Sequence, residues 1–318
     1  MGIMRRLMYR SYGGPETLFI AEVPEPEPGK GQVLIRQAAT SVNGGDLQAR
    51  SGQVRFRTAV PRGFPKGIGQ DVVGTVAALG TGVEDLAVGD LVWGVSTGSD
   101  AAADLVVMDS DRVAHAPAGI DPVRLAALPV AGTTSLAALV RNGGISAGRR
   151  VLVRGVGSVG TTAVQVAIAY GSEVTALCSP LTIDGVKELG ADHVLSYLDA
   201  DPSRLGRFDL LLDTVGRGWE PFREQLAPDG RMLTITADPA HPMASLGRIL
   251  ASSVHGSRRI RFQGELPKRD VLDMLTRLVE RGVLTPVIDS IYPLADAEAA
   301  HRHAEERGIL GKIILQIS

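Results

Sequence analysis

The apolar positions of this chain change rhythm once. Up to about residue 120 they come in short runs, Val33 to Arg36, Val72 to Ala78, Leu91 to Trp93 and Leu105 to Met108, broken by Gly and Pro. Turn pairs at Gly13-Gly14, Thr81-Gly82 and Gly89-Asp90 complete the spacing of a small antiparallel barrel or sandwich. From Asp121 onward, short β runs alternate with helical segments. Val151 to Val153, Val174 to Cys178, His193 to Leu195, Asp209 to Leu212, Met232 to Ile235 and Arg258 to Phe262 predict a parallel, doubly wound sheet. The helix after the first run places Val159, Ala163, Val166, Ala167 and Tyr170 on one face, and a later one does so with Val271, Leu272, Leu275, Leu278 and Val279. The segment from Pro286 to Ser318 predicts a helix over Ala295 to Glu305 and a strand over Lys312 to Gln316; the pattern does not say which part they join. The fold class is α/β, a β-rich unit beside a doubly wound parallel sheet.

Composition narrows the chemistry. A chain of 318 residues exceeds one comfortable core, so two domains are expected. With 33 basic against 35 acidic residues, no charge excess favours nucleic acid or an anionic membrane; a small-molecule ligand is expected instead. The single cysteine, Cys178, excludes an intrachain disulfide and thiolate zinc clusters, and suits a reducing cytoplasm. Arg5, Arg6 and Arg10 precede a polar turn rather than an apolar run, so no secretory signal is predicted, and no Ser or Thr at position 6 follows Gly2 as myristoylation requires. The uncharged stretch Gly155 to Ser172 carries Ser158, Thr161, Thr162 and Gln165, and reads as a buried helix rather than a membrane span.

That helix opens with Gly155, Gly157 and Gly160 in G-x-G-x-x-G spacing, directly after a strand. The first glycine permits the tight turn, the second lets backbone approach a pyrophosphate, and the third lets helix and strand pack closely. Val156, Ser158 and Val159 complete the turn, and the free N-H groups at the helix start face the anion. A site selective for NAD places a carboxylate about 20 residues further on, at the end of the next strand. Here that strand ends Ala176-Leu177-Cys178-Ser179. With no acid to repel a 2'-phosphate, NADPH is predicted over NADH.

Further segments fall in a telling order: Val42-Asn43, Asp46, Arg50-Ser51-Gly52, Gly69-Gln70-Asp71, Gly74, Gly89-Asp90, Ala126 to Pro129, Ala131-Gly132-Thr133-Thr134, the glycine turn, Leu189 to Asp192, Leu212 to Gly216, and Gly311-Lys312. Through nearly its whole length the chain resembles the zinc-independent quinone oxidoreductase and enoyl reductase branch of the medium-chain dehydrogenase/reductase superfamily. The resemblance implies a GroES-like catalytic domain from residues 1–122, completed by 287–318, and a Rossmann NADP-binding domain over 123–286, with ligands in the cleft between them. It also implies a homodimer paired through Arg258 to Phe262.

Zinc-dependent members use a cysteine and a Gly-His-Glu segment; here the segment is Gly69-Gln70-Asp71, so no metal ligands are expected. The implied chemistry is hydride transfer to an acceptor that is already activated, a quinone or an α,β-unsaturated carbonyl. By the same resemblance Asn43 stands beside substrate and nicotinamide, although the residues by themselves favour a loop asparagine bonding its own backbone. Thr134 contacts the nicotinamide or, with Thr133, caps a helix from Ser135 to Val140. Thr214, Val215, Gly311 and Lys312 join the cofactor set. For the 2'-phosphate, relatives place an arginine where this chain has Leu181, which leaves Ser179, Thr182 and Tyr197 beside Cys178, with Lys187 as a surface alternative.

Asp46 and Asp71 read as turn or ion-pair residues rather than an acid/base couple, and His301 and His303 as surface residues. Relatives carry a glutamate and an aromatic residue where this chain has Ala103-Asp104-Leu105, and Val54 to Phe64 follows no family pattern, so the acceptor is open. The alternatives are a tailoring enoyl reductase acting on a biosynthetic intermediate and a non-catalytic NADPH-binding protein.

Overall fold

The computed structural model describes residues 2–53, 63–238, 247, 252, 260–262 and 267–318. Its first part comprises β1 (Ile3–Tyr9), β2 (Leu18–Pro24), β3 (Gln32–Ser41), α1 (Gly44–Ser51), β4 (Lys66–Gly67), β5 (Asp71–Leu79), β6 (Leu91–Val95), β7 (Leu105–Asp109) and β8 (Val113–His115). Along β3 the side chains first alternate, Val33 and Ile35 inward and Arg36 outward; from Ala39 to Ser41 every residue is buried. The strand thus runs from a half-solvated sheet into the molecular interior, and it delivers Ser41 and then Asn43 there.

The second part follows the predicted runs closely. It comprises α2 (Pro122–Leu125), α3 (Pro129–Leu136), β9 (Arg150–Arg154), α4 (Ser158–Ala169), β10 (Glu173–Cys178), α5 (Ile183–Glu188), β11 (His193–Ser196), β12 (Phe208–Asp213), α6 (Glu220–Arg223), β13 (Leu226–Thr234), β14 (Ile260–Phe262) and α7 (Arg269–Glu280). The parallel sheet has the order β11-β10-β9-β12-β13-β14, the doubly wound order in which the chain reverses beside β9. Val151 and Val153 pack with Ala163, Val166 and Leu275, while Leu152 packs with Phe208 and Trp219 across the sheet. Both faces are covered, as a parallel sheet requires.

In α4 every residue from Thr161 to Ala167 is buried, as the uncharged stretch Gly155 to Ser172 predicts, with α3 packed on it beside the sheet. The helix α3 starts at Pro129, whose missing N-H costs nothing in the first turn, so Thr133 and Thr134 lie inside it rather than capping it. It then widens into a π-helical stretch over Ala137–Asn142.

The C-terminal elements are β15 (Ile288–Pro293), a strand the pattern did not disclose, α8 (Ala297–Ala304) and β16 (Lys312–Gln316). The pairing of β16 with β3, Ile314 opposite Ser41, carries the chain end back to the first sheet, whose order is β15-β16-β3-β5-β6-β8. Trp93, Val73, Ala39 and Ile314 share one buried cluster with the residues of β9 and α4, so the two sheets close on a common core.

His301 is not a surface residue: only 1% of it is exposed, because it lies with Ala297 and Ala300 on the buried side of α8. Burial, with Arg50 adding repulsion, pushes its imidazole down to about 3. His303 is half-buried between Tyr292, Ser290 and Asp289. Residues 54–62 and 258–259, both singled out in the sequence, lie outside the described residues. Among the described residues no helix is long and apolar enough to cross a membrane.

Candidate active site

The turn between β9 and α4 is shaped by what its glycines avoid. Gly155 has φ +92°, and a methyl there would stand 2.3 Å from Thr214 Oγ1; a methyl on Gly160 would lie 2.2 Å from the Gly155 carbonyl oxygen. A methyl on Gly157 would meet none of the described residues within 4 Å beyond its own chain neighbours, so this is the open face of the turn. Val156 is buried and anchors the turn, while Ser158 and Val159 are half-buried in the first turn of α4, where backbone N-H groups lack acceptors within the helix. Thr214 donates to the Gly155 carbonyl at 2.9 Å, and Val215 flanks the same glycine. An open, side-chain-free arc of N-H groups at a helix start fits a pyrophosphate. Beneath it, buried Asp213 accepts from Arg154 at 2.6 Å and from the Gly216 N-H at 2.9 Å, which stiffens the ends of β9 and β12.

At the end of β10, Cys178 is buried and no carboxylate follows; burial pushes its thiol up. Ser179 accepts the Leu181 N-H at 3.3 Å, and Tyr197, half-exposed, donates its N-H to the Cys178 carbonyl at 3.0 Å. Thr182 departs from expectation: it is buried, and its hydroxyl donates inward to the Ser179 carbonyl at 3.1 Å. Leu181 is exposed, and its side chain rests against Gly308, where a methyl would fall 2.7 Å from Leu181 Cδ1. The exposed Arg307 therefore stands one residue from the Leu181 contact. Lys187 is exposed and bonds Asp184.

The third group of residues is assembled from four distant segments. Asn43 caps α1 and is buried; its N-H donates to Asp46 Oδ2 at 2.9 Å, and Asp46 Oδ1 accepts the Gly69 N-H at 3.1 Å. Burial pushes the Asp46 carboxyl up to about 6; the two N-H groups oppose this, the charge of Asp71 adds to it, and Lys312 offsets part. Among the described residues the Asn43 amide Nδ2 donates to Asp71 Oδ2 at 2.8 Å, with only a long 3.4 Å contact to the Ser41 carbonyl besides. Lys312 Nζ donates to Ser41 Oγ at 2.8 Å, to Asp71 Oδ2 at 3.2 Å and to Asn43 Oδ1, and the Ser41 hydroxyl donates to Asp71. The other Asp71 oxygen accepts the Val130 N-H at 2.7 Å, in the first turn of α3.

Asp46 and Asp71 thus do belong to one cluster, with Asn43 between them. Lys312, placed with the cofactor set in the sequence, has its ammonium committed to Ser41, Asn43 and Asp71, and is 1% exposed. Gly311 has a structural reason of its own: a methyl there would meet the Val287 carbonyl oxygen at 2.3 Å. Thr134 is half-buried one helical turn beyond Val130, on the same side of α3. Gln48 of α1 reaches Thr236, beyond β13, at 3.4 Å and so spans the two units. Ser41 and Val130 carried no signal in the sequence.

A GroES-like β-rich unit joined to this parallel sheet defines an oxidoreductase fold of the medium-chain class. Residues 29–118 match the family described as alcohol dehydrogenase GroES-like domain, and residues 189–315 the zinc-binding dehydrogenase family. The chain belongs to the medium-chain dehydrogenase/reductase superfamily, and its likeness falls among the quinone oxidoreductases. It is 31% identical to the chloroplastic quinone-oxidoreductase QR1 of Triphysaria versicolor over 99% of this chain and 98% of that protein. The quinone oxidoreductase of Coxiella burnetii superposes with a TM-score of 0.88 at 26% identity, covering 100% of each chain. That of Escherichia coli, solved as a complex with NADPH, gives 0.85 at 25% identity, covering 98% of this chain and 100% of the other.

The second family description names zinc, but the donors present do not suit it. Gln70 stands between Gly69 and Asp71, the Asp71 carboxylate already holds the Lys312 ammonium, and Cys178 lies far along the chain in β10. Among the described residues no three His, Cys, Asp or Glu side chains converge to hold a metal ion.

Proposed function

We propose that this chain is an NADPH-dependent, zinc-independent reductase that transfers hydride to a quinone or to the β-carbon of an α,β-unsaturated carbonyl. The observation that carries this reading is the Asn43 amide, held at the buried end of β3 with one of its N-H hydrogens only weakly engaged. When bound, the reduced nicotinamide supplies the hydride.

The chain's own residues bind and polarise. The turn Gly155 to Gly160 takes the pyrophosphate through backbone N-H groups, with Val156 as its buried anchor and Ser158 and Val159 at the helix start. Thr214 and Val215 wall that turn, and Thr134 lies on the nicotinamide side. Ser179, Tyr197 and Arg307 meet the 2'-phosphate in place of the arginine that Leu181 replaces. Asn43 donates its N-H to the acceptor oxygen as negative charge develops there, which dispenses with a Lewis acid because enones and quinones are already activated. The catalytic unit is residues 1–122 with 287–318, the cofactor unit 123–286. Two chains pair along β14, the last strand of its sheet. The buried thiol of Cys178 suits a reducing cytoplasm.

The test is NADPH oxidation, followed by loss of the reduced nicotinamide absorbance, against a panel of quinones and enones. Asn43→Ala lowers kcat by about 10²- to 10³-fold and leaves the Kd for NADPH unchanged. No turnover with any acceptor, or wild-type turnover in Asn43→Ala, sinks the reading.

A further inference from the structure

We propose that Asp71 and Lys312 are positioning residues for hydride transfer: they fix which end of the Asn43 amide is offered to the acceptor, and tie that amide to the helix that carries Thr134. The proposal rests on the role given to Asn43 above.

An asparagine amide has two ends of similar shape and opposite hydrogen-bonding sense, so its neighbours decide its direction. Lys312 can only donate, and it bonds Oδ1; an ionised Asp71 can only accept, and it bonds Nδ2. Turning the amide over would set N-H against ammonium and carbonyl against carboxylate. Opposite charges on the two ends therefore leave one orientation, in which the second N-H hydrogen has, among the described residues, no competitor better than the 3.4 Å contact with the Ser41 carbonyl. Ser41 closes the ring by accepting from Lys312 and donating to Asp71. An ammonium on the carbonyl oxygen also polarises the amide and strengthens its N-H as a donor.

The same carboxylate reaches the other unit. Its Oδ1 takes the Val130 N-H at 2.7 Å, and Thr134 lies one turn on along the same side of α3. One side chain from β5 thereby sets the distance between the two residues proposed to flank the reacting atoms. Stability does not account for the pair. Lys312 is 1% exposed and Asp71 0%, and an ion pair so deeply buried is commonly replaceable by neutral residues without loss of fold.

The decisive variant is Asp71→Asn combined with Lys312→Met, which removes both charges together and leaves no unpaired ion. We expect kcat to fall about 100-fold, comparable to losing one such donor, with KM for NADPH and thermal midpoint close to wild type. Wild-type kcat in the folded double variant overturns the proposal, whatever its midpoint. As an independent arm, ethylammonium should restore kcat to Lys312→Ala where equimolar tetramethylammonium, which has no N-H, does not; equal effects of the two salts on the folded variant overturn the part given to Lys312. Asn43→Ala is measured alongside. Full activity in that variant defeats the underlying reading, whereas a slow Asn43→Ala beside a fast double variant defeats the positioning role alone.

Discussion

At the glycine turn the groups proposed to face a ligand are backbone N-H groups, the walls are Thr214 and Val215, and a methyl on Gly157 would find open space among the described residues. At Asn43 the clustered groups are side chains, the Lys312 ammonium and the Asp46 and Asp71 carboxyls among them, closed off from solvent. The first is neutral and tolerant of any change that adds no bulk. The second is charged and dry, and cannot lose one member without stranding another. The two regions should accordingly fail in different ways, the turn by occlusion and the cluster by uncompensated charge.

The largest effect is expected from breaking the cluster asymmetrically. Asp71→Ala leaves the Lys312 ammonium buried without its counter-ion and the Val130 N-H without its acceptor, and should destabilise the fold by about 3–5 kcal/mol in urea titration. A loss below about 1 kcal/mol, the scale of an exposed pair, would show that the cluster is wetter than the geometry implies.

At the turn, two glycines only three residues apart should separate fold from binding. Gly160→Ala drives a methyl to 2.2 Å from backbone at Gly155 and should cost about 3 kcal/mol of stability. Gly157→Ala meets none of the described residues within 4 Å beyond its own chain neighbours, so its stability should stay within about 0.5 kcal/mol of wild type while NADPH binding weakens. Unchanged binding in Gly157→Ala would mean that the pyrophosphate does not approach this face.

The same contrast explains what the sequence disclosed. The turn is local: strand, three spaced glycines and helix are contiguous, so their spacing carries both the geometry and the chemistry. The runs of β9, β10 and β12 and the end of β13 were legible for a related reason, since strands buried on both faces are short, uninterrupted and apolar. Lys312 and Ser41 are 271 positions apart, and no periodicity joins them; β16 pairing beside β3 does. Thr182 was misplaced because a hydroxyl in sequence does not show whether it points outward or, as here, donates to a carbonyl three residues back. His301 was legible and was missed. Ala297, Ala300 and Ala304 form a helical stripe of small residues that His301 shares, and the charges around them in the sequence obscured it.

That histidine extends the comparison to pH. Its imidazole is pushed down to about 3 by burial and then by Arg50, so the folded chain keeps it neutral while the unfolded chain takes up a proton below the ordinary value. Stability is therefore lost as pH falls through 6.5, by about 2 kcal/mol at pH 5. Asp46 acts in the opposite sense. Its carboxyl is raised to about 6, so the folded state binds a proton more tightly and gains stability as pH falls from 6 toward 3.8. Urea titrations of wild type and His301→Gln between pH 7 and 5 isolate the histidine: the variant should lose about 2 kcal/mol less. Parallel profiles would show that the folded state admits the charged ring.

The smallest expected effect bears on the rim of the cofactor cleft, where backbone and charge meet. A 2'-phosphate beside Ser179 and Tyr197 finds hydroxyls and backbone there, and its guanidinium in our reading comes from Arg307, across the contact between Leu181 and Gly308. Leu181 is 76% exposed, so exchanging it removes little packing, and an arginine there has room to extend into solvent. Leu181→Arg adds a second cation within reach of a dianion, but at an exposed, salt-screened position, which limits the gain to about 1 kcal/mol, roughly fivefold in Kd. NADH has no phosphate at that position, so its affinity should stay unchanged. Calorimetric titration of both nucleotides into wild type and variant reads the difference directly. Equal gains for NADPH and NADH would mean that the arginine meets the pyrophosphate instead, and equal affinities in the wild type would mean that the absent carboxylate after β10 does not select the cofactor.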